Sequence, residues 1–185
     1  MRRIMALPIV GCCLLLTACG GGARELADMT PKTGHLHVSH VKVYGSLSEL
    51  GSDSTAVAMV TAQIQRVVPA DAAGVGPVPA TLSTVQVDRV LVGKALNPGM
   101  QVVVRQLGTG QEGGDVSDIL LPGRQYLLFL HAFEFTKGQP TGEYTITGDA
   151  GAYLVQDGQF SRVSPFARDL PTSTTLTEVL RLVSQ

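Results

Sequence analysis

The sequence predicts a β-rich domain of about seven short strands and two small helices, arranged as an antiparallel barrel or sandwich. Apolar residues after about His35 recur mostly at a period of two, and the runs that carry them are rich in valine. No helix-length segment separates one run from the next, which disfavours an alternating parallel α/β fold.

Leu36 to Tyr44 alternates through Val38, Val41 and Val43 and reads as a first strand. Ala56 to Val68, Leu82 to Val92 and Gln101 to Leu107 follow, each dominated by β-branched side chains. Arg124 to Phe135 is the most apolar stretch. It carries Tyr126, Leu128 and Leu130 on one face and Leu127, Phe129 and Phe133 on the other, the pattern of a central strand covered on both sides. Tyr144 to Thr147, Ala152 to Val155 and Phe160 to Val163 complete the set, and Asp157-Gly158 between the last two suits a type I′ hairpin turn. Pro69 to Pro79 and Gly108 to Gly123, rich in Gly and Pro, read as long loops.

Ser46-Leu47-Ser48-Glu49 and Thr175-Leu176-Thr177-Glu178 have capping-box spacing. The first opens a short helix with Leu47 and Leu50 inward. The second opens a C-terminal helix with the apolar stripe Leu176, Val179, Leu180 and Val183.

Ahead of the domain, Arg2 and Arg3 precede an apolar run from Ala6 to Leu16, too short to span a bilayer core that needs about 20 apolar residues. Leu16-Thr17-Ala18-Cys19, followed by Gly20-Gly21-Gly22, resembles the lipobox of bacterial lipoproteins. That resemblance implies cleavage before Cys19, acylation of its thiol, and attachment to the cell membrane on the extracytoplasmic face, periplasmic or cell-surface. Each buried CH₂ contributes about 0.8 kcal/mol, so more than one acyl chain anchors firmly. The expected organisation is a signal peptide over 1–18, a lipid-anchored tether over 19–34 and one barrel-like domain over 35–185. Cys12 and Cys13 leave with the signal, so no disulfide framework remains. Losing Arg2 and Arg3 takes the 14 basic residues to 12 against 15 acidic ones, a net charge of about −3 without a basic cluster, which argues against nucleic acid as a partner and against polybasic lipid binding.

The order Ser46-Leu47-Ser48-Glu49-Leu50, then Val85-Gln86-Val87-Asp88-Arg89-Val90-Leu91-Val92-Gly93, Val102-Val103-Val104 and Leu121-Pro122-Gly123-Arg124-Gln125-Tyr126-Leu127-Leu128-Phe129-Leu130 resembles the netrin-module and tissue-inhibitor-of-metalloproteinases type of OB-fold barrel. The resemblance covers about Ser46 to Val163 and implies an OB-like barrel. It carries no inhibitory chemistry over: those inhibitors grip zinc through a free N-terminal cysteine, whereas Cys19 would be acylated.

Residues with chemical potential are few. His35 and His37 share a strand face with His40 close by, a weak candidate set for Zn²⁺ or Cu²⁺ that no neighbouring Cys, Asp or Glu completes. His131 closes an apolar strand and reads as a hydrogen-bonded barrel residue. Gly108 to Asp115 lacks the following helix of a phosphate loop, and Glu112, Asp115 and Asp118 are too few for a calcium loop. There is no Gly-x-Ser-x-Gly elbow and no paired carboxylate pattern. Tyr126, Phe129, Phe133, Tyr144, Tyr153 and Phe160 are expected mostly in the core, or as a stacking platform if exposed. The expectation is therefore a non-catalytic binding or structural module, without cofactor, recognising a protein or cell-envelope component. A metal- or small-ligand-binding lipoprotein is the alternative, and a hydrolase a more distant one.

Overall fold

The computed structural model describes residues 42–69, 78–110, 119–148, 150–165 and 167–183. Chain order is α1 (Leu47–Ser52), β1 (Ala56–Val68), β2 (Ala80–Val92), β3 (Gln101–Leu107), β4 (Gln125–Thr136), β5 (Gln139–Ile146), β6 (Ala152–Gln156), β7 (Gln159–Arg162), β8 (Ser173–Thr175) and α2 (Leu176–Val183).

Five strands close on themselves in the order β1-β2-β3-β5-β4, with β1 returning to β4 from Ala56↔Leu130 to Thr61↔Gln125. The pairings are antiparallel except β3 with β5, which run parallel at Val104↔Tyr144 and Arg105↔Thr145. The reason is topological: neighbours in an odd-stranded closed barrel cannot all alternate in direction. The barrel is therefore mixed rather than wholly antiparallel. β6, β7 and β8 extend outward from β4 as three further strands.

Strand alternation builds two cores. Ala56, Ala58, Val60 and Ala62 of β1 point into the barrel with Val85 and Val87, Val102 and Val104, and Tyr126, Leu128 and Leu130. The intervening Val57, Leu127 and Phe129 face outward, where α1, α2 and the outer strands cover them with Leu47, Leu50, Tyr153, Phe160 and Val179. β4 is thus buried on both faces from Tyr126 to Leu130, as its composition predicts. Past Met59, the outward face of β1 turns polar. Thr61 donates to Asp88 Oδ2 at 2.8 Å, which also accepts from Gln125, while Gln101, Gln63 and Gln86 form a second amide row.

Both helices start as their spacing predicts. Glu49 N donates to Ser46 Oγ at 3.2 Å, and Glu49 Oε2 accepts from Gly45 N at 3.0 Å. Glu178 N donates to Thr175 Oγ1 at 3.3 Å. In α2 the stripe contributes Leu176, Val179, Leu182 and Val183 to the outer core, so Leu182 takes the place expected for Leu180. The two helices meet where Val183 Cγ1 would lie 3.0 Å from a Cβ at Gly51. Ser46→Ala is expected to lower stability by about 1 kcal/mol, read as a lower denaturant midpoint at unchanged slope, because the Glu49 amide loses its acceptor.

The Asp157-Gly158 turn joins β6 to β7 with φ of 50° and 77°, the two positive values that a type I′ turn requires. Other boundaries differ from expectation. The strand expected from Leu36 to Tyr44 is not continued by Lys42, Val43 or Tyr44, which lead directly into α1 as the Tyr44 ring turns into the outer core; positions 36–41 lie outside the described residues. β5 starts at Gln139 rather than Tyr144, and its Pro140 is tolerated because that stretch pairs with β4 alone. β8 has only three residues, too few to show a period. Of the two expected loops, positions 70–77 and 111–118 lie outside the described residues.

Candidate functional site

Cys19, His35, His37, His40, Glu112, Asp115 and Asp118 all lie outside the described residues. His131 is exposed on the outward face of β4, its Nδ1 3.2 Å from the carbonyl oxygen of Asp53. Among the described residues no group of three or more His, Cys, Asp or Glu could hold a metal ion, and no helix is long and apolar enough to cross a membrane.

The aromatic residues divide sharply. Phe129, Tyr153 and Phe160 are buried in the outer core. Tyr126 fills the barrel interior, and its hydroxyl accepts from Leu121 N at 2.9 Å. Burial pushes the Tyr153 phenol up to about 12, against a smaller opposing effect of Arg162. Phe133 is only half-buried, and Phe135 is 56 % exposed.

These two rings belong to the best-defined constellation of the outward face. In Val102-Val103-Val104-Arg105 the alternation of β3 turns Arg105 outward, yet its side chain is only 7 % exposed. The guanidinium carbon lies 4.9 Å from the Phe133 ring centre and 5.5 Å from that of Phe135. Arg105 Nε donates to Glu143 Oε2 at 2.7 Å. The rings meet edge to face, with centres 4.7 Å apart and planes at 77°. A cation on an aromatic face contributes about 0.5–2 kcal/mol, more as water is excluded.

Local backbone chemistry places each partner. Phe133 and Phe135 are two apart on β4 and therefore share a face. The β4–β5 register shifts between Ala132 and Glu134 and again before Thr136, so that pairing runs from Ala132↔Tyr144 to Glu134↔Pro140. Gly142, at φ 86°, absorbs the extra length on β5. Thr141 then donates its hydroxyl to the Phe133 carbonyl at 3.0 Å and accepts Glu143 N at 3.2 Å, which fixes the carboxylate beside Arg105. The result is a rigid aromatic platform on a paired charge. It can stack or bury an apolar surface; its phenyl rings offer no nucleophile or proton.

A second cluster ties the chain ahead of α1 to the domain. Lys42 Nζ lies 2.6 Å from Asp53 Oδ2 and 3.5 Å from Glu49 Oε1, and the Tyr44 hydroxyl donates to Asp53 Oδ2 at 3.1 Å. The hydrogen bond from Lys42 holds Asp53 below the usual carboxylate range, and the same bond raises Lys42. Tyr44 is raised by burial first and by Asp53 second. Lys42 also sits 5.0 Å above the Tyr44 ring.

Arg105, Glu143 and Phe135 were not among the residues that sequence singles out. The available signal was one charged residue interrupting the apolar strand Gln101–Leu107. Nothing local links it to Glu143, 38 positions away.

Fold and site together define a small mixed β-barrel domain that presents an aromatic outward face. No family model matches the chain, and no curated protein matches it.

Proposed function

We propose that this chain is a membrane-displayed, non-catalytic binding or structural module, held by acyl groups on Cys19 and recognising a protein or cell-envelope component through the outward β4–β5 face. The observation that carries the recognition half is Phe135, more than half exposed, yet fixed by Phe133 and by the buried Arg105–Glu143 pair. An exposed ring whose rotamer is already fixed loses little entropy on binding, which suits it to serve as an anchor. We further read the barrel as the netrin and tissue-inhibitor type of OB-fold. The order β1-β2-β3-β5-β4 with one parallel pairing supports that reading.

The attachment half is tested by Cys19→Ser. The variant is expected to move from the membrane to the soluble fraction with the domain still folded. Retention of the variant in the membrane fraction sinks the lipid-anchor reading. For recognition, envelope extract is passed over the immobilised full chain, and partners retained by the native chain are expected to be lost with Phe135→Ser. Equal retention would remove the β4–β5 face from the proposal.

A further inference from the structure

The polypeptide from Cys19 enters the described domain at Lys42, which the ion pairs to Asp53 and Glu49 pin beside α1. Asp53 in turn touches His131 on the outward face of β4. Four residues further along that strand lies Phe135, roughly 13 Å away at strand rise. Thus the entry of the chain and the aromatic platform occupy one side of the domain. Val43, next to Lys42 in the chain, is 68 % exposed, and Phe135 is 56 % exposed.

The hairpin tip beyond Phe135 carries one exposed lysine, Lys137. Lys137 and Gly138 make the turn between β4 and β5, with Gly138 at φ 81°. Glu134 is occupied, its carboxylate accepting Gly138 N at 2.6 Å, and Glu143 is engaged with Arg105. An exposed phenyl ring next to an exposed ammonium is the pairing that settles at the boundary between acyl chains and anionic headgroups. Cys19 stands 23 positions before Lys42, so a bilayer holding its acyl groups is within at most about 80 Å of the domain.

We propose that the β4–β5 tip, through Phe135 and Lys137, is a second contact with the membrane surface, orienting the barrel against the bilayer that holds Cys19. This deepens the reading of the β4–β5 face as an envelope-binding site and rests on the lipid-anchor reading. One covalent anchor leaves a domain free to tumble; a second, weak contact selects one orientation because attachment has already made the encounter intramolecular.

The chain contains no tryptophan, so a single introduced one is a clean reporter. The acylated full chain carrying Phe135→Trp is placed on vesicles of phosphatidylethanolamine and phosphatidylglycerol. Trp emission is expected to shift to the blue and to be quenched by lipids brominated about 5–10 Å below the headgroups. Adding Lys137→Glu should reverse most of the shift. Ile64→Trp is the control: Ile64 is 68 % exposed and lies eight residues along β1 from Ala56, which pairs with Leu130. It should stay accessible to iodide from water.

Equal bromolipid quenching at positions 64 and 135 would overturn the orientation, and no quenching at 135 in a membrane-bound chain would overturn the contact. A blue shift that needs added envelope protein instead of lipid would also overturn it, and would assign the platform to a protein partner. A full chain absent from the membrane fraction would defeat the anchor reading itself and this inference with it, a result distinct from the others.

Discussion

Arg105→Ala is expected to destabilise the domain by about 3 kcal/mol and to release the Phe133–Phe135 platform, because it leaves the largely enclosed Glu143 carboxylate without the guanidinium that faces it. Glu143 is 24 % exposed, so water recovers part of its solvation and the cost falls at the low end for a broken buried pair. Removing both charges with apolar residues of similar size should recover most of the loss: Arg105→Met with Glu143→Leu removes the attraction and the desolvation penalty together. Denaturant unfolding of the four species in a double-mutant cycle measures the coupling, expected at about 1–3 kcal/mol. An Arg105→Ala midpoint indistinguishable from the native one would show that the pair adds no stability. The Phe135 anchor would then lose its physical basis.

Gly93→Ala is expected to cost about 3 kcal/mol or more, lowering the midpoint temperature by roughly 10 °C in a domain of this size. Gly93 follows β2 at φ 99°, and a Cβ there would lie 2.7 Å from the Thr55 carbonyl oxygen and 3.1 Å from Ala56 Cα. Both neighbours are backbone at the mouth of β1, where Thr55 N donates to the Leu130 carbonyl at 2.7 Å, so neither can yield without opening the β1–β4 seam. Gly99→Ala separates the two causes. Gly99 has φ 86° with nothing within 4 Å of the added Cβ, so it should show only the left-handed backbone penalty of about 1–2 kcal/mol. Equal losses at the two glycines would mean that the close approach at Gly93 contributes nothing.

Much of the fold was legible because strand period and cap chemistry are local. Ser46 and Thr175 cap through residues three positions away, and Asp157-Gly158 turns the chain within its own hairpin. Tyr126 to Leu130, apolar at every position, reads as a strand covered on both sides, and β4 is buried there on both faces. The extent of β5 was hidden because Gln139 to Glu143 carries Pro140 and Gly142, which weaken strand signals that pairing with β4 overrides. Lys42 to Tyr44 failed in the opposite sense: the alternation is present, but Tyr44 is drawn into the outer core and Lys42 to Asp53, leaving no ladder.

The candidate site was the least legible part. Spacing puts Phe133 and Phe135 on one face of β4, whereas Val102-Val103-Val104, apolar on both faces, does not say which side Arg105 takes. The sequence by itself therefore determined the β-rich class, the two helix caps and which residues of β4 share a face, each of which depends on residues a few positions apart. Only the tertiary structure decided that β3 lies parallel to β5, bringing an outward arginine under two phenyl rings and against Glu143. That meeting depends on barrel closure, a condition on the whole chain that no local pattern encodes.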